Sequence, residues 1–296
     1  MVLIKCLLPG IIFLASGSLA LTTCNGHEEL CSRQYSNVSF IGAHNSPFVG
    51  CLPQQNQEWS VTRQLDNGIR FLQGQTHRAP VTGSLNFCHT SCFLENAGTV
   101  TQFLRTVKSW LDIHHNEVVT LLITNGDSVP IAEFDSAFNS SGIRDYAYIP
   151  PVSPLAMNDW PTLQDLINAG TRLIVFLDYG ANVTEVPYIL EEFEYYFETP
   201  YDQTDCTFSQ CRIDRPSKAS ASGRMYLVNH TLNIDLLNTG ILVPDRDGAA
   251  TTNSLAAIEA QTDLCSSLYG RRPNVMLLDF VDKGDIIGTQ NKLNAL

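Results

Sequence analysis

Two histidines stand at the ends of short apolar runs, where their side chains could move protons. His44 follows residues 38–43 and His89 follows residues 85–88. Imidazole changes charge near neutral pH, so a pair of histidines can divide the work of general base and general acid. Either one alone reads equally well as a structural residue hydrogen-bonded at a strand end. Other polar groups occupy similar positions: Asn45 beside His44, Gln73 and Gln75 in the run 69–75, Asn125 after 118–124, Asp178 after 173–177, His230 after 225–228, and Asp279 in 275–280. All of these are candidate substrate-binding or catalytic groups. His27, His77, His114 and His115 lack such positions and read as solvent-facing or helix-end residues.

These positions converge only if the strands run parallel and end on one face. Residues 118–123 and 173–177 are almost continuously apolar, as in parallel strands buried on both sides. Helical patterns lie between strands at 99–113, at 162–169 (after Pro161 and before Gly170), at 254–268, and in the aromatic, acidic stretch 186–197. Alternating strands and helices predict an α/β domain. Seven strands are visible, and an eighth is concealed in a divergent stretch. A distorted TIM (β/α) barrel is the first reading and a doubly wound sheet the alternative; no GxGxxG follows a strand, which disfavours a dinucleotide site. In a barrel, strand carboxyl ends meet at one mouth, where catalytic groups are placed. Polar loops are expected at 146–159, 199–222 and 243–253.

Residues 1–20 read as a cleavable signal peptide: Lys5, an apolar core, then Ser18-Leu19-Ala20. The apolar run is too short to span a bilayer. Removing it takes Cys6 away and leaves eight cysteines, an even number that suits an oxidising compartment. Cys24/Cys31, Cys88/Cys92 and Cys206/Cys211 are close in sequence and suggest local pairs. Acceptor sequences for N-glycosylation begin at Asn37, Asn139, Asn182 and Asn229. The remaining residues 21–296 read as a single domain. The formal charge of −12 argues against nucleic acid and strongly anionic membranes. Peripheral contact would have to use apolar loops or neutral headgroups.

The run Phe40-Ile41-Gly42-Ala43-His44-Asn45-Ser46, followed by Gln64-Leu65-Asp66-Asn67-Gly68-Ile69-Arg70-Phe71-Leu72, resembles the phosphatidylinositol-specific phospholipase C X-domain-like superfamily. Gln73-Gly74-Gln75-Thr76-His77, Cys88-His89-Thr90-Ser91-Cys92, Phe176-Leu177-Asp178-Tyr179-Gly180-Ala181 and Asn274-Val275-Met276-Leu277-Leu278-Asp279-Phe280 look like its secreted fungal branch. The resemblance implies a phosphodiester-cleaving TIM barrel with no obligatory metal. It matches His44 to the general base, His89 to the general acid and Asp279 to the carboxylate that orients the base. It leaves Asn45, Gln73, Gln75, Asn125, Asp178 and His230 as substrate-binding candidates.

Two departures from the family pattern stand out. The residue after the first histidine is usually Asp and is Asn45 here. Bacterial members carry an Asp and a phosphate-gripping Arg where this chain has Gln73 and Gln75. Arg70 points to the opposite strand face from Gln73 and Gln75, which leaves His77, Arg144 or Arg246 as replacements. Calcium or magnesium would need acidic ligands gathered beside His44, and that pattern is not visible, so no cofactor is expected. The expected substrate is a phospholipid, glycolipid or phosphoinositol outside the cell or at its wall. The competing expectation is a catalytically weak barrel that binds lipid headgroups or cell-surface glycans. Apolar loop tips around the mouth would favour the lipid.

Overall fold

The computed structural model describes residues 23–296; the expected leader, with Cys6, lies outside them. Twelve strands are present among the described residues: β1 Phe40–Ala43, β2 Phe71–Arg78, β3 Leu85–Cys88, β4 Asn96–Thr99, β5 Val119–Asn125, β6 Leu173–Leu177, β7 Ile189–Glu191, β8 Tyr196–Glu198, β9 Met225–Asn229, β10 Asn233–Asp235, β11 Leu242–Pro244 and β12 Val275–Leu278. Eight of them form a curled sheet in the order β7-β6-β5-β2-β1-β12-β9-β8, with every neighbouring pair parallel. That order is chain order wrapped into a ring, as in a (β/α) barrel. The distortion is a seam: β7 and β8 share no ladder and are joined by the single helical turn Glu192–Tyr195.

Alternating burial shows which way each strand residue faces. Leu173, Val175 and Leu177 pack in one apolar cluster with residues of the helices Val100–Leu111 and Ile131–Ser141. Ile174 and Phe176 join a second cluster with Phe40, Phe71, Leu122, Tyr196, Leu227 and Leu277. Successive side chains on a strand point to opposite faces, so the second cluster fills the barrel and the first packs the helices against its outside. Gly42 belongs to the inner set. A Cβ there would lie 3.0 Å from both Leu277 and Phe71, so only glycine lets the strands approach this closely.

The helices at 99–113, 162–169 and 254–268 are present as Val100–Leu111, Leu163–Ala169 and Leu255–Tyr269. Thr99 and Gln102 cap the first reciprocally. The expected helix at 186–197 is instead β7, one turn and β8. Its apolar residues are dense, a pattern that periodicity alone cannot assign, and two barrel strands lie there rather than one, because the expected strand 85–88 is β3, which pairs antiparallel with β2 outside the ring.

Cys24–Cys31 and Cys88–Cys92 are bonded, as their spacing suggests. The Cys206/Cys211 pairing is not: Cys211, buried under the helix Leu255–Tyr269, joins Cys265, while Cys51 and Cys206 are exposed thiols. Asn37, Asn139 and Asn182 are exposed or half-buried at the surface. Asn229 is buried and donates to Glu198 and to the Thr199 carbonyl, so its acceptor sequence is inaccessible in the folded chain.

Candidate active site

The inner-face parity that runs through Phe40 and Gly42 reaches His44 just beyond β1. The same parity carries Gln73 and Gln75 on β2, Asp178 after β6, Glu198 on β8, Asn229 on β9 and Asp279 after β12 to the mouth. Two expected binding residues have the other parity. Asn125 accepts from the Val129 N–H and donates to the carbonyls of Val129 and Tyr179, which ties down the turn after β5. His230 is fully buried, with its ring nitrogens on Gln261 and the Thr252 carbonyl and its face on Phe208. Its place in the site is therefore corrected: it packs against the outer helix layer, and its neighbour Asn229 points inward.

His44 Nδ1 lies 2.8 Å from Asp279 Oδ1. Asp279 is buried, and the same oxygen accepts a 2.8 Å bond from Asn56 Nδ2. A carboxylate beside Nδ1 holds the proton there and leaves Nε2 as the basic nitrogen. His89 Nδ1 donates to the Gln54 carbonyl at 2.9 Å, and its ring stacks on Phe48 with centroids 5.3 Å apart. Its Nε2 is then the atom that can carry and deliver a proton. Burial, followed by the charge of His44, pushes the His89 imidazole below its usual 6.5. The disulfide Cys88–Cys92 brackets it.

The two glutamines are oriented by the backbone. Gln73 Oε1 accepts the Asn45 N–H at 2.8 Å, and Gln75 Oε1 accepts the Thr90 N–H at 3.2 Å. A backbone N–H can only donate, so the carbonyl end of each amide faces it, and the NH2 ends remain as neutral donors. Asn45 takes a left-handed conformation (φ 47°), which asparagine tolerates better than most residues. Its side chain is fully buried, and neither polar atom has a protein partner.

The nearby cations are held by carboxylates. Arg70 lies just before β2 on Glu117, on the face expected for it. Arg144 pairs with Asp135, and the His77 ring, another expected replacement, is engaged by a hydrogen bond between Nδ1 and Asp127. Arg246 reaches the rim, donates to the Gly50 carbonyl and lies over the Phe280 ring, but its charge is taken by Glu58. Across the mouth, Arg215 is bound to Glu198. Burial, then the charge of Glu198, raises Glu192 well above the ordinary carboxyl value. Asp178 accepts from the N–H groups of Asn125 and Tyr179, yet burial pushes it up to about 6. Among the described residues, no group of three or more His, Cys, Asp or Glu side chains could hold a metal.

The PI-PLC X family model matches residues 30–294. The chain belongs to that family. It is 57% identical over 277 residues to the PI-PLC X domain-containing protein 1 of Arthroderma benhamiae, covering 92% of this chain and 90% of that one. An uncharacterized secreted protein of the same fungus is 44% identical over 276 residues, 90% of this chain and 62% of its own length. Among solved structures, the phosphatidylinositol-specific phospholipase C of Listeria monocytogenes superposes with a TM-score of 0.59 at 18% identity, covering 93% of this chain and 96% of that one. The corresponding Staphylococcus aureus enzyme gives 0.62 at 13% identity, with 90% and 95% covered. At these identities the two structures establish the shared barrel and nothing finer.

Asn56 and Gln54 escape a reading of the sequence. They lie in Leu52-Pro53-Gln54-Gln55-Asn56-Gln57, whose polar composition looks like an ordinary loop. Only the fold reveals that one contributes a backbone carbonyl to His89 and the other an amide to Asp279.

Proposed function

We propose that this PI-PLC X protein is a secreted phosphodiesterase that cleaves a phosphoinositol lipid or glycolipid at the bond between phosphorus and the glycerol oxygen. The observation that carries this reading is the pair of oriented histidines, His44 on Asp279 and His89 on the Gln54 carbonyl, at the barrel mouth. His44 Nε2 takes the proton of a headgroup hydroxyl, whose oxygen attacks phosphorus. As the phosphorus–oxygen bond to glycerol breaks, His89 Nε2 delivers its proton to the departing oxygen. The products are a cyclic phosphodiester and a diacylglycerol. The amide donors of Gln73 and Gln75, with Asn45, stand where bacterial relatives place charge. Neutral donors stabilise a phosphorane less than a guanidinium does, and losing one stabilising donor typically costs about 10²–10³ in rate, so slow turnover is expected.

Segments leaving the strand carboxyl ends also expose Leu52, Phe93, Leu94, Tyr179, Leu237 and Ile241. Phe93 is 81% and Leu237 93% exposed, as suits a surface that meets a lipid interface. The acidic charge favours neutral headgroups around the substrate. Three disulfides and a relative called secreted accord with an extracellular site of action, and no helix among the described residues is long and apolar enough to cross a membrane.

The test is a release assay on oxidised protein with vesicles containing phosphatidylinositol, glycosyl-phosphatidylinositol or sphingomyelin, with and without chelator. His44→Ala and His89→Ala are run beside the parent. Loss of about 10² or more in both variants is expected for an acid–base pair, with no effect of chelator. Undiminished turnover in both variants would sink the proposal. Binding without turnover in the parent would favour the headgroup-binding reading, for which the paired state of Arg144, Arg215 and Arg246 already speaks.

A further inference from the structure

Asn56 is 1% exposed and lies in the loop between β1 and the helix Val61–Asp66. Its backbone is fixed on both sides, its N–H on the Phe48 carbonyl and its carbonyl on the Phe280 N–H. That leaves its side chain little freedom. Nδ2 reaches Asp279 Oδ1 at 2.8 Å and lies 3.4 Å from His44 Nδ1. Asp279 Oδ2 is buried without a partner, so both donors to this carboxylate meet at one oxygen. A carboxylate held by one bond can turn about its Cβ–Cγ axis. Held by two donors from different directions, it presents Oδ1 to Nδ1 in a single orientation.

We infer that Asn56 is a positioning residue: it locks the Asp279 carboxylate so that His44 keeps its proton on Nδ1 and its basic nitrogen on the substrate side. The inference rests on the acid–base reading above and extends it to a residue that touches no substrate. Neighbouring residues serve the same end. Gln54 supplies the carbonyl that holds His89, and Gln57 Nε2 donates to the carbonyls of His44 and Leu278. One short loop thereby sets the orientation of both histidines.

Asn56→Asp is nearly isosteric and replaces the donor by a second carboxylate. Two carboxylates at this separation share a proton, so the new group is protonated, and able to donate, only toward acid pH. The other ionisable groups on elements packed against the loop are His44, His89, Glu95, Asp245, Asp282 and the Glu58–Arg246–Lys283 cluster. They are present in both proteins, and Asn56→Leu, which adds no charge, separates loss of the donor from any effect of the new carboxyl on their titration. Asn56→Leu removes the donor at every pH.

The experiment has two arms. In substrate-free protein, nitrogen-15 NMR of the histidine rings should show His44 of the parent protonated at Nδ1, and a mixture of tautomers in Asn56→Leu. In the release assay, kcat of Asn56→Leu should fall about tenfold, as for one lost charge-assisted hydrogen bond, with KM unchanged. The rate of Asn56→Asp relative to the parent should climb as pH is lowered from about 7.5 to about 5, the range in which a proton shared by two carboxylates is taken up. An unchanged His44 tautomer in Asn56→Leu, or a pH-independent ratio for Asn56→Asp, overturns the inference. The NMR arm needs no turnover, so an inactive parent would refute the phosphodiesterase reading and still leave the role of Asn56 decided.

Discussion

The most discriminating perturbation is Asp279→Asn, because the surrounding bonds dictate how the new amide sits. Asn56 Nδ2 and His44 Nδ1 both donate to Oδ1, so the carbonyl oxygen of the introduced amide must take that place. The His44 tautomer is then preserved and only the negative charge is lost. A buried hydrogen bond to a charged group is worth about 1.5–3 kcal/mol, against about 1 kcal/mol between neutral groups. The imidazolium that forms as His44 takes a proton thus loses about 1.3 kcal/mol of stabilisation, which is about tenfold in kcat. KM should hold within about twofold, since Asp279 reaches substrate only through His44. The new NH2 occupies the position of Oδ2, which is buried and makes no hydrogen bond in the parent. That leaves an unsatisfied donor at a cost to folding of about 1–3 kcal/mol. Steady-state kinetics on phosphatidylinositol vesicles near pH 6, with urea unfolding of the same samples, measures both quantities. A kcat within about threefold of the parent, or a loss confined to KM, would refute the orienting role of Asp279.

Burial and the charge of His44 both weaken proton binding by His89, so the alkaline limb of kcat/KM should have its midpoint below 6.5. In His44→Ala one of those causes disappears, and the His89 titration followed by NMR should move up; no movement would contradict their proximity. Asp178, at about 6 when folded against 3.8 ordinarily, holds a proton in the folded state through a window where the unfolded chain has released it. Its contribution therefore falls as pH rises from about 4 to about 6, by about 3 kcal/mol. Asp178→Asn should be more stable relative to the parent at pH 7 than at pH 4 by that order in urea unfolding, and equal differences at the two pH values would count against the buried carboxyl. Leu237→Asp and Phe93→Asp should each weaken sedimentation with phosphatidylcholine vesicles about tenfold or more, leaving hydrolysis of a soluble headgroup ester intact; unchanged sedimentation would remove the lipid interface from the mouth.

Much of the barrel is legible in the sequence because its inner strands are buried on both faces. The run 173–177 coincides with β6, and the strand ends mark the mouth; the run 85–88 is also a strand, β3, but it pairs antiparallel with β2 outside the ring. Alternation along a strand is the finer signal. Carried through Phe40 to His44 and through Val275 to Asp279, it selects the two residues that meet. Carried through Met225, it selects Asn229 and rejects His230, a distinction that proximity to a strand end does not make. The seam is illegible for a different reason. Between Val186 and Glu198, apolar residues are needed on both sides of two three-residue strands, and so dense a pattern has no period to read. Asn56 is hidden because its partners are 12 and 223 residues away; nothing local distinguishes it from Gln55.

The seam between β7 and β8 also affects how the molecule comes apart. Everywhere else the ring is held by ladders of peptide hydrogen bonds, which are indifferent to pH. Here the junction passes through Glu192, buried in the connecting turn, and its neighbour Glu198, which Arg215 and Asn229 grip from the other side. Burial beside Glu198 favours the neutral form of Glu192; ionising it would put a further buried anion against a single cation. Rising pH should therefore open the barrel first along this line, exposing the amides of residues 189–198 to exchange while β1, β2 and β12, which carry or precede the site residues, remain paired. The ring would unclasp like a bracelet, with its fastening on strands other than those that carry His44 and Asp279.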